Sequence, residues 1–181
     1  MSFSLFRRRP LQQSANALYL ALVAQARQPI FYLSFGVPDT LDGRFDMIAL
    51  HAFLLLHRLK EAQGREFGSL PADLSQEVFD LMFADMDRNL REMGVGDLGI
   101  APKVKAMARA FYGRVAAYEA GLDASELSVL LDALKRNLYR GVNPAGIHVQ
   151  DMAAYVRHQA AFLKNQRTEE LLAGTVLFSA P

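Results

Sequence analysis

The fold is decided by residues 45–59, which read FDMIALHAFLLLHRL. On a helix, the apolar side chains of this stretch cover most of the circumference and leave little room for a polar face. A helix of that kind is typical of the centre of a helical bundle. Its longest apolar run, residues 47–56, is interrupted by His51 and is far shorter than the roughly 20 residues that a membrane-spanning helix needs. The stretch therefore predicts a buried central helix, which we place at residues 45–63.

Apolar residues also recur at helical spacing on both sides of the central helix, whereas alternation with a period of two is confined to residues 30–35. Glycines and prolines between the periodic stretches predict the helix ends. Besides 45–63, the predicted helices cover residues 11–27, 71–93, 102–120, 125–139 and 148–167, and a final short turn covers residues 169–173. Residues 30–37, between Pro29 and the Pro38-Asp39 turn, are expected to form a short extended connector. The predicted fold class is all-α, a single compact bundle of about six helices.

The composition is that of one globular domain. Of the 181 residues, 51% are hydrophobic and 22% are charged, and the formal net charge is +1. This suits a chain with a sizeable core, and it offers no bulk charge for binding nucleic acid. The absence of cysteine excludes disulfides and thiolate metal sites. We expect a single helical domain over residues 11–181.

The first ten residues, MSFSLFRRRP, are the basic end of the chain, since no acidic residue precedes Asp39. Their charges follow their apolar residues, the reverse of a secretory signal, which favours a cytoplasmic location. We interpret residues 1–10 as a flexible, solvated tail. A transit peptide is one alternative, because such segments are rich in arginine and poor in acidic residues. The other is a weak contact with a membrane or another anionic surface. Its residues would be Phe3, Phe6, Arg7, Arg8 and Arg9.

Two stretches have sequence patterns that are also found in cofactor sites and in acid/base sites. Residues 94–99, GVGDLG, match the G-x-G-x-x-G pattern of dinucleotide-binding folds. A helical period precedes them where that fold needs a buried strand, so a helix-loop-helix corner is favoured. Asp85 and Asp87 point in different directions on a helix, and Arg88 and Arg91 follow them at ion-pair spacing. A solvated face with salt bridges is therefore favoured over an acid/base pair or a metal site.

The histidines, at positions 51, 57, 148 and 158, offer no pair at the spacing that brings two imidazoles to one metal ion on a single helix. For His51, a buried and hydrogen-bonded core histidine is favoured over a proton switch. The sequence also contains no serine-nucleophile or phosphate-binding motif. We therefore predict a protein that is not an enzyme, with no catalytic residue, cofactor or metal.

Three further stretches are informative in their order and spacing. They are DGRFD at 42–46, which leads into Leu50-His51 and Arg58-Leu59, then FADMDRNLREMGVGD at 83–97, and AFYGR at 110–114. Together they resemble the core of the ubiquinol-cytochrome c chaperone domain. The resemblance is best over residues 39–122 and weakest over the first 38 residues. The short chain looks like a bacterial, alphaproteobacterial member of that family.

The resemblance implies an assembly chaperone that binds newly made cytochrome b and promotes the biogenesis of the ubiquinol-cytochrome c reductase, respiratory complex III. The implied partners are cytochrome b or another complex III subunit, a small helical co-chaperone, and the ribosome near its tunnel exit. The implied place of action is the inner face of the cytoplasmic membrane, or the matrix side in mitochondria. The alternative function is a non-catalytic adaptor at the membrane or the ribosome that uses residues 7–9. Sequence-specific binding of nucleic acid is not expected.

A chaperone needs a surface that holds apolar segments reversibly, and methionine suits such a surface because its side chain is flexible and polarizable. The helical stripes contain four candidates, Met82, Met86, Met93 and Met107, for which core packing is the alternative. Around them we predict an exposed rim of mixed charge beside a tyrosine, which is typical of the edge of a protein interface. The predicted partner-binding residues are Asp85, Asp87, Arg88, Arg91, Glu92, Lys103, Lys105, Arg109, Tyr112 and Arg114.

Overall fold

The computed structural model describes the backbone of residues 3–64 and 66–181, and the side chains of the same residues from Arg9 onward. These residues form eight helices. They are α1 (Phe3–Ala26), α2 (Ile30–Leu33), α3 (Leu41–Glu61), α4 (Leu70–Glu92), α5 (Asp97–Asp123), α6 (Leu127–Asn137), α7 (Gly146–Lys164) and α8 (Thr168–Leu172). The six longer helices correspond to the six predicted ones, and α8 corresponds to the predicted final turn. The predicted all-α fold is confirmed.

Helix α3 is the central helix, as predicted. Fourteen of its 21 residues are buried, and it packs against α1, α4, α5 and α7. The Thr40 hydroxyl caps its first turn by accepting a hydrogen bond from the N–H of Gly43 at 3.1 Å. Gly43 cannot carry a side chain, because a Cβ there would lie 2.0 Å from the carbonyl oxygen of Pro38. The chain therefore enters α3 through a tight turn that packs on the start of the helix.

The extended connector predicted after α1 is wrong for its first four residues. Ile30–Leu33 form the one-turn helix α2, in which the carbonyl of Pro29 accepts hydrogen bonds from the N–H groups of Tyr32 and Leu33 at 3.0 and 2.9 Å. Pro29 has helical angles, φ −58° and ψ −29°, so the proline that follows α1 also starts α2. The helical turn satisfies backbone groups that an isolated strand would leave without partners.

Helix α1 begins at Phe3, eight residues before its predicted start, and Pro10 lies inside it. The backbone of residues 3–10 is therefore helical, while the flexible tail and a domain boundary at residue 11 stay predictions. Four of the residues predicted to contact an anionic surface, Phe3, Phe6, Arg7 and Arg8, have side chains outside the described part of the chain, and Arg9 is exposed. No described helix is long and apolar enough to cross a membrane.

His51 is a buried core histidine, as predicted. Its Nδ1–H donates to the carbonyl oxygen of Met47 at 2.8 Å, and its Nε2 accepts from the hydroxyl of Tyr155 at 2.7 Å. That hydroxyl accepts in turn from the side-chain amide of Gln25 at 3.0 Å. Burial lowers the pKa of His51 from 6.5 to about 4, so the imidazole is neutral at pH 7.

The residues after α8 are held beside the end of α7 by two glutamines. Gln166 exchanges two hydrogen bonds with the backbone of Leu177, at 2.6 and 2.9 Å. Gln159 does the same with Ser179, at 2.8 and 3.2 Å. The two amide groups pair with the segment as a neighbouring strand would. Phe178 lies between the clamped residues and packs on His51, so the segment closes this side of the core.

Candidate functional site

A groove of about 750 Å³ lies between the start of α3, the end of α4 and the first half of α5. Its apolar surface comes from all three helices. The apolar lining residues are Leu41, Phe45, Ile48, Met86, Leu90, Met93, Ala106, Met107 and Ala110. The corner of residues 93–96 joins α4 to α5 at this end, and Gly94 turns it with φ +82°, a conformation that other residues rarely adopt. A groove of this volume and lining can hold several apolar side chains of a partner.

Three of the four candidate methionines line this groove. Met93 is 53% exposed, Met107 is half-buried, and Met86 is buried in the wall. Met82 is fully buried in the core, where it packs as the alternative interpretation stated. The groove therefore presents flexible and polarizable side chains that can adapt to differently shaped apolar partners.

Two arginines of the groove share one buried carboxylate. Arg114 donates to Oδ1 of Asp46 at 2.7 Å, and Arg140 donates to Oδ2 at 2.9 Å. The side chains of Asp46 and Arg114 are only 1% and 5% exposed. Burial raises the pKa of Asp46, while the two guanidinium groups act in the opposite direction. Each carboxylate oxygen accepts a charge-assisted hydrogen bond from a guanidinium group, and these contacts favour the ionised form. This cluster joins the start of α3 to α5 and to the residues after α6.

The predicted exposed rim is only partly present at the groove. Lys103 is exposed and lines the groove, as the prediction requires. The expectation that Arg114 is exposed is wrong, because its guanidinium group turns inward to the carboxylate of Asp46. Three more of the predicted residues, Glu92, Lys105 and Arg109, are exposed but lie outside the groove lining. Their role in binding a partner stays a prediction.

The acidic residues at the end of α4 form the ion pairs that their spacing predicts. Arg91 contacts Asp87 at 2.7 Å, and Arg88 lies 3.8 Å from Asp85. Arg91 also contacts Asp97, at 2.5 Å, across the corner between α4 and α5. In the part of the chain that the structure describes, no three histidine or carboxylate side chains cluster closely enough to hold a metal ion. These charges therefore form a paired surface next to the groove.

Tyr112, also predicted to bind a partner, lies at a second cavity of about 240 Å³ between the end of α3, the start of α4 and the second half of α5. Its side chain is 59% exposed, and its ring packs on Phe79 with the centroids 5.4 Å apart. On the polar side of this cavity, Lys60 donates to Glu119 at 2.6 Å and lowers the pKa of that carboxyl. A carboxylate that stays ionised and paired suits a structural ion pair better than proton transfer.

The sequence of this chain matches a known protein family over most of its length. The model of the family described as "Ubiquinol-cytochrome C chaperone" matches residues 33–178. The chain belongs to the ubiquinol-cytochrome c chaperone family. The resemblance seen over residues 39–122 is thereby confirmed, and the match extends through the later helices to residue 178.

The chaperone chain is similar to eukaryotic proteins named ubiquinol-cytochrome c reductase complex assembly factor 1. The Xenopus laevis protein is 25% identical over 159 residues, which are 88% of this chain and 76% of the relative. The human protein is 26% identical over 159 residues, and the match covers only 51% of it. The chain thus spans about half the length of the human relative.

A solved structure shows the same fold. The crystal structure of the Cbp3 homolog from Brucella abortus matches this chaperone with a TM-score of 0.84 and 39% sequence identity. The match covers 99% of this chain and 97% of the other. The two proteins therefore share the whole helical arrangement.

The sequence interpretation missed several charged residues of this chaperone's groove region, among them Asp46 and Arg140. Asp46 carried a usable signal, because a carboxylate in the most apolar helix has to find a cationic partner if it is buried. Arg140 follows α6 in a loop, and nothing in its local sequence indicates that it reaches back to α3.

Proposed function

We propose that this protein is an assembly chaperone whose groove holds a segment of newly made cytochrome b before that subunit enters ubiquinol-cytochrome c reductase, respiratory complex III. The observation that carries the proposal is a methionine-lined groove on a member of the ubiquinol-cytochrome c chaperone family. The names of the relatives, which refer to assembly of the reductase complex, support the destination of the client. The choice of cytochrome b among its subunits rests on the family resemblance.

The physical properties of the groove suit a temporary complex. A membrane subunit that has not yet inserted exposes apolar side chains, and covering them removes their surface from water. Methionines adapt to several side-chain shapes, which favours tolerance of sequence over a single tight fit. The client can therefore leave when its final partners offer a better match.

We infer that the role is non-catalytic and requires no cofactor, because holding and releasing a client needs no bond to be made or broken. The buried carboxylate beside the groove, Asp46, is engaged in ion pairs with Arg114 and Arg140 and is not free to act on a substrate. We place this work at the inner face of the cytoplasmic membrane. Contacts with the ribosome, with a small helical co-chaperone and with the membrane surface through residues 3–9 are further proposals.

The experiment that tests this function is complementation in a host whose own copy of the gene has been deleted. Deletion is expected to lower the b-type haem signal of the membranes and the rate of electron transfer from ubiquinol to cytochrome c. The wild-type gene should restore both, and so should Ala116→Arg. Ala110→Arg should restore neither, because Ala110 lines the groove whereas Ala116 is an exposed residue of the same helix outside it. Normal complex III after deletion would refute the proposal.

A further inference from the structure

The charges around the groove do not cancel. Its lining contains five basic side chains, Arg27, Arg44, Lys103, Arg114 and Arg140, and one acidic side chain, Asp42. Asp39 and Asp46 lie just outside the lining and are bonded to lining arginines. Even with these two included, the region has five positive charges against three negative ones.

The excess positive charge can be assigned to two residues, because the other three basic side chains are paired with carboxylates. Arg114 and Arg140 are neutralised by Asp46 together with Asp42, which lies 3.6 Å from Arg140. In the same way, Arg44 contacts Asp39 at 2.7 Å.

Arg27 and Lys103 form no ion pair with any residue that the structure describes. Both side chains are exposed. Arg27 follows the end of α1, and Lys103 lies on α5, so the apolar surface is flanked by positive charge from two separate parts of the chain.

We propose that the groove selects an amphipathic helical segment of its client, one with an apolar face and carboxylates at the edges of that face. The apolar side chains occupy the methionine-lined surface, as in other complexes in which a helix lies in a groove. The carboxylates pair with Arg27 and Lys103, and this complementarity of charge sets the orientation and the choice of segment. The inference rests on the proposed function and adds the chemical class of the bound segment.

A helix fits these observations better than a lipid surface does. The apolar residues line a concave space between three helices, whereas a membrane surface requires an exposed, outward-facing apolar patch. The floor of the groove is also partly made of buried side chains such as Phe45 and Met86, which a flat bilayer cannot reach.

The test uses two synthetic amphipathic helices with one leucine-rich face in common. They differ only at the edges of that face, which carry glutamate in one peptide and lysine in the other. Their affinities for three full-length proteins are compared by fluorescence anisotropy at low and high salt. The proteins are the wild type, the double variant R27E/K103E, and the control variant K135E/R136E.

The control is matched in charge, since it also reverses one lysine and one arginine. Lys135 and Arg136 lie in the last turn of α6, much as Arg27 lies at the end of α1. Both are exposed and lie outside the groove lining. Equal unfolding midpoints of the two double variants would show that any difference in binding does not come from misfolding.

We expect the wild type and the control to bind the glutamate peptide about tenfold more tightly than the lysine peptide at low salt, with the preference shrinking at high salt. R27E/K103E should prefer the lysine peptide. Equal affinity of the wild type for both peptides, or reversal by the control as well, would overturn the inference. So would binding of anionic phospholipid vesicles that depends on Arg27 and Lys103 while neither peptide binds. If the charge preference fails but Ala110→Arg still abolishes complementation, the proposed function stands and only this inference falls.

Discussion

Asp46 is the residue at which a single substitution should disturb the groove most, because two arginines from different parts of the chain share its carboxylate. Asp46→Asn keeps the size of the side chain but leaves the buried guanidinium of Arg114 without a counter-charge. We expect the free energy of unfolding to fall by about 3 kcal/mol, as is usual when one partner of a buried ion pair is removed. Urea denaturation measures this change.

The matched control for that change is Asp39→Asn. Asp39 and Arg44 form a pair of similar geometry, at 2.7 Å, but both side chains are more than half exposed. Solvent screens such a pair, so its loss should leave the urea midpoint unchanged. If the two variants lose the same stability, burial of the Asp46 cluster is not what makes it important.

His51 should make the stability of the protein depend on pH in a defined window. Its pKa is about 4 in the folded protein and 6.5 in the unfolded chain. Between these values the unfolded chain binds the additional proton, so stability falls as the pH is lowered from 6.5 to 4, by at most about 3 kcal/mol, and is not affected by this group above 6.5. His51→Gln cannot bind that proton and should show a shallower fall in urea midpoint over the same window. An identical slope in both proteins would contradict the assignment.

At the scale of helices, the contact between α5 and α6 depends on the absence of a side chain at one position. A Cβ on Gly121 would lie 2.8 Å from the Cα of Leu130, and backbone at that distance cannot move aside cheaply. Gly121→Ala should therefore lower the free energy of unfolding by about 1–3 kcal/mol.

Gly113 on the same helix is the control, since a Cβ there meets nothing within 4 Å. Gly113→Ala should raise the free energy of unfolding by up to about 1 kcal/mol, because alanine favours the helix. Opposite signs in thermal or urea unfolding are expected for the two variants. A stabilising effect at both positions would mean that α5 and α6 are not packed this closely.

The helices themselves were predictable because a spacing of 3.6 residues is a local property of the sequence. The central position of α3 also followed, since a helix with no polar face has to be surrounded. The one-turn helix α2 did not follow, because four residues are too few to show a helical period. The predicted α1 began too late because it was started after Pro10, a residue that is usually unfavourable inside a helix.

At the scale of the whole molecule, the candidate groove was predictable only in part. The methionine stripe on α4 was visible in the sequence, but which methionines face the groove depends on where α5 crosses, so Met82 turned out to be core and Met93 exposed. The burial of Arg114 could not be foreseen, because its partner Asp46 precedes it by 68 residues. Local spacing places side chains on a helix face, whereas packing between distant segments decides what that face meets.

The central claim, that the groove holds the client, is tested most directly by photo-crosslinking while cytochrome b is being made. A photoreactive amino acid replaces Ala110 in the groove in one variant and Ala116, on the same helix outside it, in another. We expect newly made cytochrome b to be captured at position 110 and not at position 116. Equal capture at both positions, or capture at position 116 alone, would contradict the claim.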